Sequence, residues 1–411
     1  MTRPSIHRTT LAAGALAATL AGTAVESRAQ DTEVSGWAAV EVRVFTEPSR
    51  HPGQDPQRIQ PSFMFQPELR ADFFDGAGRL TIIPYLRVDQ TDRERSHLDL
   101  REAYVQYLGD SWDVLAGLGK VFWGVTESRH LVDIINQTDV VDDVDLEEKL
   151  GQPMINANMH TEYGSFGLFV LPGFREATSP GWDGRLRATL PVETHKAQYE
   201  SSAKDHHVDF AARWAHNLGD FDIGLAHFWG TSREPRYGLG LDDLGRPVLI
   251  PFYDIIHQSS VDLQATLGAW LLKFEGISRW GHRGDNHFLA AVAGFEYTFF
   301  DLFETGTDVG LLLEYLYDGR NSLAPPTAND DDIFFGSRIA LNNTQDTEFL
   351  VGAIIDRHNQ ATAARFEADH RIGDSWKIEV EGQFFMNVPV GDNLKNVTQD
   401  DHVQVRLFRY F

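Results

Sequence analysis

Residues 375–385 read SWKIEVEGQFF, and their apolar and polar side chains alternate. Trp376 and Ile378 fall on one face of an extended chain and Lys377 and Glu379 fall on the other, because successive residues of a strand point to opposite faces. One face therefore suits an apolar surrounding, and the other suits water. This stretch predicts a β-strand that separates two different environments.

The same alternation recurs from Val34 onward, and helical periodicity is almost absent. The connections alternate between short turns rich in Gly, Asp, Asn and Ser and long polar stretches. The short connections are residues 75–78, 109–111, 163–165, 217–220, 267–269, 342–345 and 373–375. The long connections are residues 47–58, 89–97, 124–152, 173–206, 231–247, 280–286, 318–331 and 387–401.

Short turns at one end and long loops at the other are typical of outer-membrane barrels, whose turns are periplasmic and whose loops are external. Counting up and down from a periplasmic start gives about 18 strands, with about 16 as the other count, because residues 247–267 form either one bent strand or two. The sequence therefore predicts an all-β protein: a closed antiparallel transmembrane β-barrel with short periplasmic turns and long external loops.

Local irregularities mark three places in this pattern. Residues 112–124 and 348–356 are apolar in both phases of the alternation, so the pattern leaves their outward face open. The phase changes between Leu100 and Ala103, which predicts a β-bulge near residues 101–102.

Composition excludes several classes of protein. The chain has 411 residues, no cysteine and a formal net charge of −24. The missing cysteines exclude disulfides, thiolate zinc sites and iron–sulfur clusters. The negative charge opposes binding to nucleic-acid phosphates, so we expect no nucleic-acid partner. No cofactor, catalytic residue or metal ligand is assigned.

The first residues are predicted to direct export. Arg3 precedes an uncharged, alanine-rich run at residues 11–25, and Ser27 and Ala29 flank Arg28 in a small-x-small pattern. Residues 1–29 therefore form a predicted signal peptide cleaved near Ala29. Residues 30–411 form a single barrel domain, with a loop insertion at about 124–152, placed in the outer membrane of a Gram-negative cell.

The last residues resemble the C-terminal signal of outer-membrane barrels. Val405, Leu407 and Phe411 share one face of the final strand. The resemblance implies that they form an assembly signal read by the barrel-assembly machinery. Closing the barrel then pairs the last strand with the first and removes both free edges.

Several internal stretches resemble uncharacterised porin-like outer-membrane proteins of proteobacteria. They are residues 100–105 (LREAYV), 119–124 (GKVFWG), 262–266 (DLQAT), 272–275 (LKFE), 295–297 (FEY) and 313–317 (LEYLY). The resemblance implies a barrel with a pore, surrounded by outer-membrane lipid and lipopolysaccharide. Because porins are often trimers, it leaves a homotrimer open.

Charged residues of both signs fall on the predicted inward faces, where they line a pore or close it with ion pairs. The pore-lining candidates are Arg43, Glu68, Arg70, Arg79, Arg87, Asp209, Arg213, Lys273, Glu275, Glu314, Arg338, Arg365, Glu367, Lys377, Glu379, Glu381 and Arg406.

Residues 124–152 form the third external connection and contain a short amphipathic stretch, residues 130–136. This position resembles that of the constriction loops that fold into porin lumens, and a solvated surface loop is the alternative. The acidic run that follows offers carboxylate ligands for a divalent cation, although no EF-hand spacing is present. Its acids are Asp139, Asp142, Asp143, Asp145, Glu147 and Glu148.

The leading hypothesis is a porin-like channel for passive diffusion of small hydrophilic solutes. Inward apolar residues Leu312, Leu316 and Phe385 motivate the alternative, a barrel that transports a lipid, a hydrophobic compound or a polysaccharide. The long loops 173–206 and 231–247 motivate a third possibility, a structural or adhesive barrel. We expect no enzyme, because His206, His207 and His282 fall in or beside predicted external loops and no nucleophile motif occurs in a suitable context. An outer-membrane hydrolase with its catalytic residues near the outer rim is the alternative.

Overall fold

The computed structural model describes residues 31–142 and 147–411. The predicted signal peptide, and Asp143 and Asp145 of the acidic run, lie outside the described residues. No helix in these two ranges is long and apolar enough to cross a membrane.

The two described ranges form 21 strands, which alternating sequence patterns produce by placing one side chain inward and the next outward. They are β1 (Asp31–Phe45), β2 (Ile59–Phe73), β3 (Gly78–Asp89), β4 (His97–Leu108), β5 (Trp112–Gly119), β6 (Gln152–Thr161), β7 (Gly164–Pro172), β8 (Gln198–Tyr199), β9 (Val208–Leu218), β10 (Phe221–Thr231), β11 (Arg236–Leu241), β12 (Pro247–Tyr253), β13 (Ile255–Leu267), β14 (Trp270–Gly281), β15 (Gly284–Phe299), β16 (Asp308–Asp318), β17 (Asp331–Ala340), β18 (Glu348–Asp356), β19 (Thr362–Ile372), β20 (Trp376–Met386) and β21 (His402–Tyr410).

Eighteen of these strands form one closed antiparallel barrel. Each barrel strand pairs with the next, and β1 also pairs with β21, from Trp37 opposite Tyr410 to Phe45 opposite His402. Closure leaves the sheet without a free edge. The predicted fold class and the count of about 18 strands are confirmed.

The remaining strands, β8, β11 and β12, form a small separate sheet within the loops. β11 and β12 are a hairpin inside the connection between β10 and β13. Residues 247–267 therefore make two strands of which only β13 belongs to the barrel, and the count of 16 is wrong.

One of the predicted long loops is a tight turn. β14 continues to Gly281, β15 begins at Gly284 and His282 forms an antiparallel bridge with Asn286, so residues 280–286 form a tight hairpin turn. Arg283 and Gly284 have φ angles of 47° and 85°, the positive values that tight hairpin turns require. The polar composition of this stretch belongs to the hairpin, not to an extended loop.

The predicted bulge is confirmed. Ile83 of β3 pairs with Glu102, whereas Pro84 pairs with Leu100, so Arg101 of β4 has no opposite residue. The extra residue lets Arg101 turn into the barrel, where only 2% of it is exposed.

The outer surface of the barrel is apolar. Outward side chains on strands all round it are exposed and mostly aliphatic, as lipid contact requires. Examples are Leu225, Leu289, Leu313, Val351 and Leu407.

Candidate functional site

The connection between β5 and β6 folds into the barrel and fills one side of its lumen. We call residues 121–142 the plug. Its apolar side chains Trp123, Leu131, Val132 and Ile135 are buried in one cluster with inward residues of the barrel wall. These wall residues include Met154, Phe169, Phe228, Ile256, Ile277, Phe288, Val292, Leu312, Leu316 and Phe334. This contact explains why β5 and β18 are apolar in both phases, since their inward Leu115 and Ile354 also pack against the cluster.

Two inward carboxylates of the wall hold the backbone at the start of the plug. Glu275 on β14 accepts hydrogen bonds from the N–H groups of Val125 (2.7 Å), Thr126 (3.1 Å) and Val132 (3.1 Å). Glu314 on β16 holds the next turn in the same way. Each carboxylate satisfies backbone donors that burial would otherwise leave unpaired, and such charge-assisted bonds are among the stronger ones in proteins.

The Glu314 contacts come from Glu127 N–H (2.8 Å), Ser128 N–H (2.8 Å) and Ser128 Oγ–H (2.6 Å). The side chain of Glu127 in turn accepts a hydrogen bond from Arg338 Nη2 at 2.8 Å and pairs with Lys273 Nζ at 3.5 Å. This wall therefore holds the plug through four charged side chains on three strands.

The opposite wall holds the end of the plug through arginines. Asp142 accepts hydrogen bonds from Arg87 Nη1 (2.7 Å) and Tyr85 Oη (2.8 Å) on β3. Asp139 accepts one from Arg101 Nη1 on β4 at 2.5 Å. The plug thus spans the lumen from β14–β17 to β3–β4.

Asp142 stays ionised at this position. Burial by itself raises the pKa of Asp142, but the guanidinium groups of Arg87, Arg101 and Arg95 outweigh burial and hold that pKa below its ordinary value. The described acids at the start of the acidic run are therefore partners of arginines.

Beside the plug, the lumen contains an open polar cavity. Its lining carries six carboxylates and two guanidinium groups. The residues are Glu147, Glu148, Arg365, Glu367, Ala368, Asp369, Glu379, Glu381 and Arg406. A smaller adjoining cavity shares Glu367 and Asp369 and reaches Arg338, Glu348 and Leu350. The lumen therefore contains an apolar region filled by the plug and a charged cavity region along β18–β21.

The architecture has counterparts among solved outer-membrane proteins. OccK8 (OprE) of Pseudomonas aeruginosa matches with a TM-score of 0.53 and 10% identity, over 93% of this chain and 98% of that one. A BenF-like porin from Pseudomonas fluorescens Pf-5 matches with a TM-score of 0.52 and 11% identity, over 92% and 97%. The chain has the fold of the outer-membrane porins. The resemblance to porin-like barrels is thereby confirmed for the fold.

A further structural match is Wzi of Escherichia coli, an outer-membrane protein involved in group 1 capsule assembly and described as a carbohydrate-binding β-barrel. The TM-score is 0.50 at 10% identity, over 90% of this chain and 83% of that one. No protein-family model matches the chain, and no curated protein matches it.

The pore-lining candidates lie in three different surroundings within this porin-type barrel. Those in or beside the polar cavity are Arg365, Glu367, Lys377, Glu379, Glu381 and Arg406. Those that hold the plug are Arg87, Lys273, Glu275, Glu314 and Arg338. Those in wall contacts elsewhere are Arg43 with Gln404, Glu68 with Arg70, Arg79 with Asp72, and Arg213 with Asp262. Asp209 pairs with Arg233 of the connection after β10, and Arg233 also donates to the Ile135 carbonyl of the plug.

Sequence reasoning missed Glu41, which lies at the centre of a deeply buried ion-pair network. Glu41 is fully buried and pairs with Arg87 (2.5 Å), Arg95 (2.8 Å) and Arg406 (3.0 Å). The alternation of Val40, Val42 and Val44 with Glu41 and Arg43 was a visible signal for its inward position. Its partners come from β3, β21 and the loop after β3, so they were not visible.

Proposed function

We propose that the chain is an outer-membrane channel through which small hydrophilic solutes diffuse by way of the polar cavity. The observation that carries the proposal is the division of the lumen: the plug fills the apolar side, and a cavity lined mainly by charged side chains lies beside it. Barrels of 16–18 strands are wide enough for an aqueous channel, and a loop folded into the lumen narrows it to small solutes.

In this proposal the long-loop end of the barrel lies outside the cell and the short turns lie in the periplasm. It includes removal of a signal peptide near Ala29. It also includes an assembly signal at Val405, Leu407 and Phe411, which lie exposed on the outer face. Phe411 exchanges backbone hydrogen bonds with Gly36 of β1, next to the seam at which the barrel closes.

The apolar residues that motivated lipid transport do not support it. Leu312 and Leu316 are covered by the plug, with 4% and 1% of their surface exposed. Phe385 packs against Phe45 and Leu186 in a second buried cluster. A lipid passing through the barrel would need these surfaces free.

The long loops contribute to the mouth of the channel. Arg185, from the connection between β7 and β8, donates to Asp400 at 2.5 Å and lies over the Phe45 ring at 4.0 Å. Leu186 N–H donates to the other oxygen of Asp400 at 2.9 Å. The loop is thus anchored over β1 and β20–β21, which supports a role in narrowing the entrance rather than in adhesion.

The excess of carboxylates in the polar cavity favours cations, since rings of acidic side chains lower the barrier for cations and raise it for anions. We expect the purified protein to show discrete conductance in planar bilayers. In a tenfold KCl gradient, the reversal potential should have the sign that indicates selectivity for K⁺ over Cl⁻. The double variant Glu367→Gln/Glu381→Gln should shift that potential toward zero by about 10 mV or more.

The matched control is Asp374→Asn, which removes an acid from an exposed short turn outside the cavity. It should leave the reversal potential unchanged. Planar bilayers that show no conductance, although the barrel is folded and heat-modifiable, would overturn the channel proposal. An unchanged reversal potential in the double variant would overturn the polar cavity as the path of the solute.

A further inference from the structure

Two carboxylates face each other where β17 and β18 meet the long-loop end. Asp332 of β17 pairs directly with Asp356 of β18. Directly opposite residues of an antiparallel pair lie on the same face with their Cβ atoms about 4.5–5.5 Å apart, and like charges in such positions repel. The face is the inward one, because Asp332 also pairs with the buried Leu316 of β16.

The Asp332 carboxylate is buried without a donor for one of its oxygens. Only 2% of Asp332 is exposed, and its Oδ2 has no hydrogen-bond partner within residues 31–142 and 147–411. Asp356 does not relieve it, because an ionised carboxylate has no hydrogen to donate, and Asp356 Oδ1 itself accepts the N–H groups of His358 (2.6 Å) and Asn359 (3.0 Å). Asp330 adds repulsion from a third carboxylate.

The nearby cationic side chains are engaged with other acids. Arg320 donates to Asp318 Oδ1 at 2.9 Å, and Arg357 donates to Asp331 Oδ1 at 2.7 Å. Neither is therefore the counter-ion of Asp332. A buried carboxylate with an unsatisfied oxygen costs several kcal/mol unless it takes up a proton, a water molecule or a cation.

We propose that Asp332 and Asp356 bind a divalent cation, Ca²⁺, at the mouth of the barrel. Ca²⁺ accepts 6–8 oxygen ligands in flexible geometry, so two carboxylates together with backbone carbonyls and water suffice. The described residues contain no group of three acidic or histidine side chains that could hold a metal, which makes the affinity modest. Sites of external proteins bind Ca²⁺ at about 0.1–1 mM.

The experiment measures Ca²⁺ binding to the refolded full-length barrel in detergent after treatment with a chelator. Calorimetry and equilibrium dialysis should show one Ca²⁺ per chain with a dissociation constant of about 0.1–1 mM. Asp332→Asn and Asp356→Asn should each weaken binding about tenfold or more, whereas Asp374→Asn should bind as the wild type does.

Thermal unfolding separates loss of the site from loss of the fold. Ca²⁺ should raise the midpoint of the wild-type barrel and leave that of Asp332→Asn unchanged. Without Ca²⁺ the Asp332→Asn barrel should be at least as stable as the wild type, because the amide removes the repulsion.

Two results would overturn the site. One is equal Ca²⁺ binding by the wild type and Asp332→Asn. The other is a thermal unfolding midpoint of the wild type that does not change with Ca²⁺ but rises as the pH falls from about 7 to 5. That result would mean that the two carboxylates share a proton instead. None of these measurements depends on conductance, so failure of the Ca²⁺ site and failure of the channel proposal are distinguishable.

Discussion

Replacing residues 120–151 with Asn-Gly should raise single-channel conductance by roughly an order of magnitude, because an 18-stranded barrel without its plug holds a wide aqueous lumen. Gly119 and Gln152 are paired neighbours on β5 and β6, so a two-residue turn can join them. The measurement is single-channel current of the purified variant in planar bilayers.

The same replacement should also make the barrel less stable. It exposes Phe228, Ile277, Leu312 and other apolar wall residues to water, at about 1.5–3 kcal/mol for each large side chain that becomes fully hydrated. A lower thermal midpoint together with a higher conductance is therefore expected. This pair of effects distinguishes a plug packed on an apolar wall from a loop that lies loosely in the lumen.

The control variant removes a connection at the short-turn end of the barrel instead. Replacing residues 300–308 with Asn-Gly joins Phe299 to its paired neighbour Val309 and leaves the plug in place. Its conductance should equal that of the wild type. A plug-less barrel that is folded and conducts no more than this control would contradict the assignment of residues 121–142 as the obstruction.

Glu41→Gln should lower the free energy of unfolding by about 3–5 kcal/mol, the usual cost of removing one partner of a buried ion pair. Glu41 is fully buried among Arg87, Arg95 and Arg406, and Arg87 itself is 1% exposed. The amide removes the charge that these guanidinium groups share and leaves each of them with another carboxylate partner, Asp142, Asp89 and Glu381 respectively. Because the partners lie on β3, on β21 and in the loop between β3 and β4, the loss falls on the seam where the barrel closes.

The measurement is urea unfolding of the barrel in phospholipid vesicles, followed by tryptophan fluorescence. Asp72→Asn is the matched control, because the pair that Asp72 makes with Arg79 is partly exposed, with 32% and 41% of the side chains accessible. Exposed pairs contribute about 0–1 kcal/mol, so the control should change little. Equal losses in the two variants would refute the special role of Glu41.

The alternation in the chain was enough to predict the architecture. In a strand the side chain alternates with a period of two whatever the partner strand is, so residues such as Trp376 and Lys377 reveal their opposite faces locally. The bulge at Arg101 was visible for the same reason, as a change of phase within one strand. The asymmetry of turns and loops then predicted closure and the number of strands.

Tertiary structure decided what occupies the lumen. The plug is held by contacts such as that between Val125 and Glu275, which are 150 residues apart in sequence, and no local pattern reports such a pair. Inward charges such as Glu314 and Glu379 look alike in the sequence, yet one binds the plug and the other lines the polar cavity. The strand period determines which face a residue occupies, whereas its partner depends on how the loops fold back into the closed barrel.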